Sequence, residues 1–432
     1  MKILLKNFSA ITLSSPAVLE NGSISIEDGA ITGIFSQNIP LPPLQFDEIL
    51  DGHKKLVMPG FVNAHTHLAM VMLRGYADDL PLKRWLEEEI WPLEAKLTSD
   101  DIYWGAQLGM AEMIRSGTTC FADMYYQMGR VMEAVKESGM RALLAEGLFA
   151  QKPGQRMDEI FRTTQDFIAQ VKTENHSRIR VALGPHAPYT VCAEAWERIV
   201  DLAHQHQIPV HTHLSETRSE VQTSLELWKK TPVEHLESLG VFDARALAAH
   251  CVHVAEHDIE ILASHNVNVI HNPTSNLKLA SGFAPIQRLQ RAGINVAIGT
   301  DGASSNNNLD MIEEIRLATL IQKGILEDAT AFPALEALRA GTERGAQALG
   351  WGDVGKIEIG QRADLVILDI DTPHWVPGYD LVSNLVYSAQ AADVRTVIID
   401  GDLVMHDYEM RTLDEEKAKA MAQEFQQKYR RR

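Results

Sequence analysis

The chain has 432 residues, of which 45% are hydrophobic and 23% are charged. This composition is ordinary for a globular protein, so it excludes disorder, collagen and coiled coil as the main architecture. Aspartate and glutamate outnumber lysine and arginine by 58 to 40, which gives a formal net charge of −18. Because an acidic surface repels phosphate groups, we expect neither nucleic acid nor a membrane as a partner.

The three cysteines, Cys120, Cys192 and Cys251, are far apart in the sequence. They indicate neither a disulfide framework nor a cysteine-based metal site, and they are typical of a reducing compartment. The opening stretch MKILLKNFSAITL is too interrupted for a signal peptide, and no apolar run approaches the roughly 20 residues of a membrane span. We therefore predict a cytoplasmic protein.

Both ends of the chain are typical of short β-strands. Near the N-terminus, ILLKNFSAITL and SISIEDGAITGIF are rich in apolar and β-branched residues, with turn signals at Asn21-Gly22 and Asp28-Gly29. Near the C-terminus, IEIGQRADLVILDI and VRTVIIDGDLVM have the same character, with a turn signal at Asp400-Gly401.

Between the two ends, short apolar runs alternate with helical stretches. Eight runs are predicted as strands that end in polar residues: VMPGFVNAH, TTCFADMY, RALLAEGLF, RVALGPHAP, IPVHTHLSE, ALAAHCVHV, VNVIHNPTS and NVAIGTDGA. Amphipathic segments at 100–116, 194–207, 256–265 and 308–323 separate many of them. Such crossovers are long enough for the strands to pair in parallel.

This order predicts an α/β fold with two domains. Eight βα units over 58–359 indicate a (β/α)8 barrel, in which the chemistry lies at the carboxyl ends of the strands. We expect the segments 1–57 and 360–432 to form one small β domain outside the barrel.

Four of the predicted strand ends carry side chains that bind metals. His65 and His67 end the first strand, and residues i and i+2 of a strand point to the same side, so both can grip one ion. A second such pair, His211 and His213, ends the fifth strand, followed by Glu216. The sixth and eighth strands end in two more such groups: His250 and Asp301. This nitrogen-rich set with one carboxylate suits zinc or another first-row divalent metal.

The motifs along the chain resemble one known family. They are PGFVNAHTHLAM, LPLKRWLEEEIWPLE, RSGTTCFADM, HAPYTV, HTHLSET, HNPTSNLKLASG, GTDGASSNNNLDM and GKIEIGQRADLVILD. In them the chain is similar, over nearly its whole length, to the amidohydrolase superfamily. The branch is that of the 5-methylthioadenosine/S-adenosylhomocysteine deaminases and their chlorohydrolase relatives. The resemblance implies a distorted TIM (β/α)8 barrel with a small β-sandwich formed from both chain termini.

The resemblance also implies roles for the polar strand ends. The metal ligands would be His65, His67, His213 and Asp301. Glu216 matches the glutamate that shuttles protons, His250 matches the histidine that stabilises the attacked centre, and His211 has no ligand role. Binuclear relatives bridge two metals with a carboxylated lysine on the fourth strand, but RIRVALGPHAPYT contains no lysine. We therefore expect one divalent ion, with Zn²⁺ favoured and Fe²⁺ or Mn²⁺ left open.

These roles predict hydrolytic deamination of a nucleoside. A metal ion lowers the pKa of its bound water from 15.7 toward about 7, and Asp301 can accept the proton. Glu216 would protonate a purine ring nitrogen while hydroxide attacks the adjacent carbon, and His250 would stabilise the nascent oxygen. The expected substrate is an adenosine thioether, namely 5'-methylthioadenosine or S-adenosylhomocysteine, or adenosine itself.

Substrate-binding residues follow from the same resemblance. Glu94 matches a position that binds the ribose diol, and His186 matches a histidine that faces the nucleobase or its sugar. Family members that take a homocysteine tail bind its carboxylate with arginines after the third strand. Here Lys152, Arg156 and Arg162 are the cations of that region. Without a cation in the pocket, a neutral tail would be favoured.

Two further sets have open roles. Trp85 and Trp91 either line an apolar pocket or belong to the core. Asn272, Ser275 and Asn276 after the seventh strand either orient the metal ligands or form a turn.

Two alternatives to the leading hypothesis stay open at this point. The same site could hydrolyse guanine, cytosine or an s-triazine. A metal-free barrel that acts as a scaffold is a more remote alternative. In every case we expect a homo-oligomer, a dimer or a tetramer.

Overall fold

The computed structural model describes residues 1–37 and 45–429. These residues contain seventeen strands: β1 (Lys2–Ile11), β2 (Val18–Glu27), β3 (Ala30–Phe35), β4 (Glu48–Asp51), β5 (Lys55–Pro59), β6 (Phe61–Thr66), β7 (Thr118–Tyr125), β8 (Arg141–Leu148), β9 (Ile179–Pro185), β10 (Val210–Leu214), β11 (Ala246–His250), β12 (Asn268–His271), β13 (Val296–Ile298), β14 (Leu365–Asp369), β15 (Val394–Ile399), β16 (Asp402–His406) and β17 (Glu409–Met410).

The same residues contain sixteen α-helices: α1 (Leu82–Arg84), α2 (Trp91–Glu94), α3 (Ser99–Arg115), α4 (Met128–Ser138), α5 (Gln155–Glu174), α6 (Ala193–His206), α7 (Arg218–Trp228), α8 (Pro232–Ser238), α9 (Glu256–Ser264), α10 (Pro273–Lys278), α11 (Ile286–Arg291), α12 (Met311–Leu326), α13 (Ala334–Ala340), α14 (Glu343–Leu349), α15 (Leu381–Tyr387) and α16 (Glu415–Tyr429). A π-helical segment, Trp85–Ile90, joins α1 to α2. Short 3-10 helices lie at Leu68–Leu73, Pro188–Thr190, Val241–Asp243, Pro373–Trp375 and Ala391–Asp393. No helix of the described ranges is long and apolar enough to cross a membrane.

The eight strands β6 to β13 form one parallel sheet in the order of the sequence. Hydrogen bonds from the loop after β13 to β6 close the sheet. Asp301 N–H donates to the His65 carbonyl at 3.0 Å, and Thr300 N–H donates to Asn63 Oδ1 at 3.0 Å. These are the eight predicted strands, and the four predicted amphipathic segments are α3, α6, α9 and α12. The predicted α/β barrel is therefore confirmed.

The barrel strands are covered on both faces, which explains their composition. Every residue of β7 is buried, and so are all but one of β8. A parallel strand enclosed in this way contains continuous apolar runs rather than an alternation of apolar and polar residues. The polar residues are consequently confined to the strand ends, where the functional groups of a barrel lie.

A second sheet combines both ends of the chain, as expected. Its nine strands follow the order β17-β16-β15-β14-β5-β1-β2-β3, with β4 paired to β1. The antiparallel contact of β14 with β5 joins the C-terminal strands to the N-terminal ones. Strand β5 extends to Pro59 and β14 begins at Leu365, so both lie close to the predicted boundaries at 57/58 and 359/360. That division stays a proposal, and parts of its ranges, 38–44 and 430–432, lie outside the described residues.

The predicted turns at the chain ends have different outcomes. Asp28-Gly29 and Asp400-Gly401 each have positive φ angles and connect adjacent antiparallel strands, as predicted. The turn predicted at Asn21-Gly22 is wrong, because both residues lie inside β2. Asn21 has a φ of +47° there, and the register between β1 and β2 shifts around Gly22. The pair forms an irregularity within a long strand, in the manner of a β-bulge.

A buried ion pair fixes the second sheet to the barrel. Arg141 Nε and Nη2 donate to the two carboxylate oxygens of Asp364 at 2.8 and 2.9 Å. Both side chains are almost fully buried, so water cannot hydrate their charges. The two parallel hydrogen bonds of the bidentate pair replace that hydration. Because Arg141 is the first residue of β8, this contact lies at the amino end of the barrel strands.

Candidate metal and active site

Three histidines and one aspartate converge at the carboxyl end of the barrel. One ligand atom from each lies within 4.8 Å of the others: His65, His67, His213 and Asp301. Asp301 Oδ1 is 3.1 Å from His67 Nε2 and 3.4 Å from His65 Nε2, and the Nε2 atoms of His67 and His213 are 3.2 Å apart. Ligands at about 2.1 Å from one zinc ion lie roughly 3–4 Å from one another. These three distances are therefore compatible with a single ion.

The tautomers of two ligands follow from their outer hydrogen bonds. His67 Nδ1 lies 2.5 Å from the Met124 carbonyl oxygen, and His213 Nδ1 lies 2.6 Å from the His186 carbonyl oxygen. A carbonyl only accepts, so each Nδ1 carries a hydrogen and a neutral ring has its lone pair on Nε2. Two lone pairs facing each other at 3.2 Å repel unless a cation or a proton lies between them. The donor chemistry thus fits a metal.

His65 is supported by the histidine to which the resemblance gave no ligand role. His65 Nδ1 lies 2.8 Å from His211 Nε2. The other ring nitrogen, His65 Nε2, is fully buried and has no hydrogen-bond partner among the described residues. An imidazole that binds a metal through Nε2 donates its Nδ1–H to a neighbour, and the contact with His211 fits that arrangement.

Two serines hold the aspartate. The hydroxyl groups of Ser275 and Ser305 both donate to Asp301 Oδ2, at 2.6 and 2.9 Å. Oδ1 is therefore the oxygen that faces His65 and His67. For Ser275 the sequence left two roles open, and this hydrogen bond favours the one in which it orients a metal ligand. Ser305 could not be identified from the sequence pattern.

Burial and the shared carboxylate set the ionisation of the ligands. Burial lowers the pKa of His65 to about 4 and the pKa of His213 well below its usual value. Burial opposes ionisation of Asp301, but the adjacent His65 and His67 rings keep its pKa well below the usual range. Burial also opposes charge on His67, yet Asp301 raises its pKa to about 9. Without a metal the site thus holds an ionised carboxylate and a protonated His67, and a metal would displace that proton.

Glu216 and His250 lie beside the ligands. Glu216 Oε1 accepts from Ser281 Oγ at 3.1 Å, while Oε2 is 3.9 Å from His250 Nε2. His250 Nδ1 lies 2.8 Å from Asn276 Oδ1, which fixes the plane of the ring. Burial raises the pKa of the Glu216 carboxyl, so its protonated form is favoured at a higher pH than in water.

The backbone of this region is strained at functional positions. His250 and Asp301 have φ angles of +73° and +63°, and Ser215 has +51°. Residues with side chains avoid this left-handed region, at a cost on the order of 1–3 kcal/mol each. Glu220 stabilises one of these segments, because its buried carboxylate accepts the N–H groups of Ser215 and Glu216 at 2.9 and 2.7 Å.

The ligand group opens into a cavity on the same side of the barrel. Glu216, His250 and Asp301 lie on its lining, and so do both tryptophans, Trp85 and Trp91. Most of the lining is apolar, with a few polar groups that converge on it, as in small-molecule sites.

Glu94 and His186 also face this cavity. Tyr125 Oη donates to Glu94 Oε1 at 2.6 Å, and burial raises the pKa of Glu94. The His186 ring stacks on Phe149 with centroids 4.3 Å apart and lies 4.8 Å from the His213 ring. The structure therefore brings every predicted site residue to one cavity, except that His65 lies behind its wall as a buried ligand.

Comparison with known proteins identifies the family. Residues 56–404 match the sequence model of the amidohydrolase family. The chain belongs to this family. It is 49% identical over 431 residues to a 5-methylthioadenosine/S-adenosylhomocysteine deaminase from Syntrophomonas wolfei, with 99% of each chain covered. It is also 45% identical over 419 residues to a 5'-deoxyadenosine deaminase from Methanothermobacter thermautotrophicus, with 96% of this chain and 97% of the relative covered.

A solved structure supports the same assignment. The crystal structure of an adenosine deaminase from Xanthomonas campestris with bound zinc superposes with a TM-score of 0.93 at 37% identity. The alignment covers 99% of this chain and 98% of that one. This amidohydrolase therefore shares its fold, barrel and second sheet together, with a relative whose structure contains zinc.

A second cleft adjoins the cavity of the amidohydrolase. The two share several walls, among them Trp91, Glu94 and Phe149. Of the three candidate cations after the third barrel strand, Lys152 and Arg156 line this cleft, whereas Arg162 is not among its lining residues. Glu146, a largely buried carboxylate that no sequence motif indicated, lines this cleft too.

Glu220 was also missed, although the sequence contains a signal for it. Thr217 is the N-cap residue of α7, and its side chain accepts the N–H of Glu220. A threonine followed three residues later by a glutamate has the spacing of a capping box. In a capping box the glutamate returns to the N–H of the capping residue itself. Here Glu220 reaches one and two residues further back, so it supports Glu216 rather than Thr217.

Proposed function

We propose that this amidohydrolase is a metal-dependent deaminase that converts an adenosine thioether to the inosine analogue and ammonia. The single observation that carries the proposal is the pair of Nε2 atoms of His67 and His213, 3.2 Å apart beside Asp301 Oδ1. A cation bound between these atoms would remove the repulsion of the two lone pairs, and it would lie beside a cavity that is also lined by Glu216. The names of the relatives support the same reaction class.

We propose one divalent ion, Zn²⁺, held by His65, His67, His213 and Asp301. The close grouping of the four ligand atoms supports a single ion, and β9 contains no lysine that could bridge a second one. When bound, the ion lowers the pKa of a coordinated water toward about 7, which makes hydroxide available near neutral pH.

The residues around the ligands divide the proton transfers. Ser281 occupies Oε1 of Glu216, so Oε2 is the atom that donates a proton to the purine ring nitrogen. Asn276 Oδ1 accepts from His250 Nδ1, so His250 Nε2 carries a hydrogen only in the imidazolium form, which would donate to the oxygen that develops at the attacked carbon. Asp301 Oδ1 takes the proton that the attacking water gives up and passes it to the amino nitrogen. The bond from the ring carbon to that nitrogen then breaks, ammonia leaves, and the remaining hydroxyl proton returns to Glu216 as the carbonyl forms.

We propose that Glu94 binds the ribose. A carboxylate accepts two hydrogen bonds at once, which suits vicinal hydroxyl groups. The Tyr125 hydroxyl donates to one lone pair of Glu94 Oε1, and the remaining lone pairs of both oxygens are available to the sugar. His186 lies on the same lining, between Phe149 and His213, and supports a position against the nucleoside.

We propose that the second cleft takes the 5'-substituent and favours a neutral thioether. Glu146 on its wall disfavours an anionic tail, because two carboxylates repel each other. Arg156 lines the same cleft but is exposed, so water screens its attraction for a carboxylate. 5'-Methylthioadenosine is therefore the preferred substrate, and S-adenosylhomocysteine depends on Arg156.

A substrate screen tests the proposed function. Ammonia release by the zinc-loaded protein would be measured with 5'-methylthioadenosine, S-adenosylhomocysteine, 5'-deoxyadenosine, adenosine, guanine and cytosine. We expect the highest kcat/KM with 5'-methylthioadenosine and no release from guanine or cytosine. Faster release from a free base would favour the alternative hydrolase, and no release from any compound would overturn the proposal.

We further propose a cytoplasmic homo-oligomer. Its three cysteines are free, and two of them, Cys120 and Cys251, are buried, which is consistent with a reducing compartment. Light scattering of the purified protein would give the mass. A dimer or a tetramer is expected, and a monomer at all concentrations would contradict it.

A further inference from the structure

A buried glutamate outside the cavity lies directly behind the metal ligands. Glu314 belongs to α12 and has no solvent exposure. Its Oε1 accepts from Asn306 Nδ2 at 2.8 Å, and its Oε2 accepts from Thr274 N–H at 3.2 Å. One carboxylate therefore joins α10, the short helix after β12, to the loop after β13. Below, these two segments are called the two loops.

The two residues that Glu314 holds are sequence neighbours of the two serines on Asp301. Thr274 precedes Ser275, and Asn306 follows Ser305. Both serine hydroxyls donate to Asp301 Oδ2, so the outer carboxylate and the inner one are connected through the same two loops.

A third contact reaches the chain next to Asp301. The Asn306 amide that donates to Glu314 also donates to the Thr300 carbonyl oxygen at 2.7 Å. Thr300 is the residue immediately before Asp301, whose φ of +63° is strained. Such a conformation persists only where the surroundings hold it, and Asn306 supplies one of the contacts that do so.

The cost of this arrangement shows that packing alone does not explain it. A buried carboxyl group pays for its desolvation, and burial raises the pKa of Glu314 to about 8. An apolar residue would fill the same space between α12 and the loops without that cost. The carboxylate is instead placed where two loops need a common acceptor.

We propose that Glu314 is a positioning residue that directs Asp301 Oδ1 toward His65 and His67 by fixing the loops that carry Ser275 and Ser305. The inference rests on the proposed function in one respect, namely that Asp301 is a metal ligand. Glu314 itself touches neither the ligands nor the cavity.

The matched variants are Glu314→Gln and Glu313→Gln. Glutamine keeps the size of Glu314 but has one acceptor oxygen, so either Thr274 or Asn306 loses its partner. Glu313 is the neighbouring glutamate on α12, is exposed, and its carboxylate accepts from Asn308 Nδ2. Its variant makes the same change of glutamate to glutamine on the same helix while leaving the contacts of Thr274 and Asn306 intact.

Zinc affinity by chelator competition is the first readout, and the visible spectrum of the Co²⁺-substituted protein is the second. We expect Glu314→Gln to weaken zinc binding by about 10- to 100-fold and to change the Co²⁺ spectrum, because partners of metal ligands have effects of this size. Glu313→Gln should match the wild type in both. Unchanged affinity and spectrum in Glu314→Gln would overturn the inference.

A mutant cycle tests whether the effect passes through the serines. In a Ser275→Ala, Ser305→Ala background, Glu314→Gln should change zinc affinity by less than about twofold. A full additional loss in that background would show that Glu314 acts by another route. If Glu314→Gln does not fold, Asn306→Ala removes one of the two connections, and an unchanged affinity there would equally overturn the inference. A wild type that binds no zinc would instead overturn the proposed function.

Discussion

His67 and His213 direct their Nε2 atoms at each other across 3.2 Å, while each donates its Nδ1–H to a main-chain carbonyl. The carbonyls of Met124 and His186 leave these rings no other neutral tautomer. We propose that the pair binds a cation between the two Nε2 atoms, which would remove the repulsion of their lone pairs. Each carbonyl comes from the strand beside the one that its histidine ends or follows: Met124 lies in β7, next to β6, and His186 follows β9, next to β10.

Glu216 is predicted to supply the proton in the chemical step. We expect Glu216→Gln to lower kcat for 5'-methylthioadenosine by about 10²- to 10⁴-fold, because an amide cannot donate the proton that the ring nitrogen requires. Zinc content should stay at the wild-type value. Glu226, an exposed glutamate on α7, is the matched control, and Glu226→Gln should retain full kcat. A Glu216→Gln enzyme with wild-type kcat would remove this residue from the mechanism.

Glu94 is predicted to distinguish a nucleoside from its free base. Glu94→Gln should raise KM for 5'-methylthioadenosine by about 10-fold or more, because the amide offers one acceptor where the ribose needs two. KM for adenine, if it is turned over, should change little. Steady-state kinetics with both compounds measures this. Equal losses for the two would contradict ribose binding by Glu94.

Arg156 is predicted to matter only for an anionic tail. Arg156→Ala should raise KM for S-adenosylhomocysteine by about 10-fold, the lower end for a hydrogen bond to a charged group, because the site is exposed. KM for 5'-methylthioadenosine should stay within about twofold. Arg162→Ala is the control, since Arg162 is not among the lining residues of the cleft. A loss that is the same for both substrates would show that Arg156 does not bind the tail.

Glu220 is predicted to make stability depend on pH. Burial raises its pKa from 4.5 to about 7 in the folded protein, so the folded state binds the proton more tightly than the unfolded state. The stabilisation is complete below about pH 4.5 and is lost as the pH rises through 7, by about 3 kcal/mol at most. The denaturant midpoint of the metal-free protein should therefore fall less between pH 5 and 8 in Glu220→Gln than in the wild type. Identical slopes would contradict the shift, and Glu226→Gln should keep the wild-type slope.

The barrel could be predicted because its signals are local. Each strand is a buried apolar run that ends in a polar residue, and parallel strands collect those ends at one rim. The strand ends alone predict that His65, His67, His211, His213, His250 and Asp301 converge, and the family resemblance selects His65, His67, His213 and Asp301 as the metal ligands. The failed turn at Asn21-Gly22 shows the limit, since long strand pairing with β1 overrides the local preference of these residues.

The supporting residues could not be predicted because they lie on separate elements: Ser275 on α10, Ser305 on the loop after β13 and Glu314 on α12. Ser305 and Glu314 have no spacing in the sequence that relates them to Ser275, and only the folded barrel brings them to the same carboxylate. The same holds for Tyr125 on Glu94, whose partner is 31 residues away. Sequence patterns identify groups that face the cavity, whereas the groups behind them depend on how the loops pack.

The most direct test of the account is a zinc titration of the metal-stripped protein, followed by ammonia release from 5'-methylthioadenosine. The account predicts that activity rises linearly to one zinc ion per chain and then stays constant. His213→Ala should gain no activity, and His204→Ala, which changes an exposed histidine on α6, should titrate like the wild type. Full ammonia release without metal, or a rise that continues to two ions per chain, would contradict it.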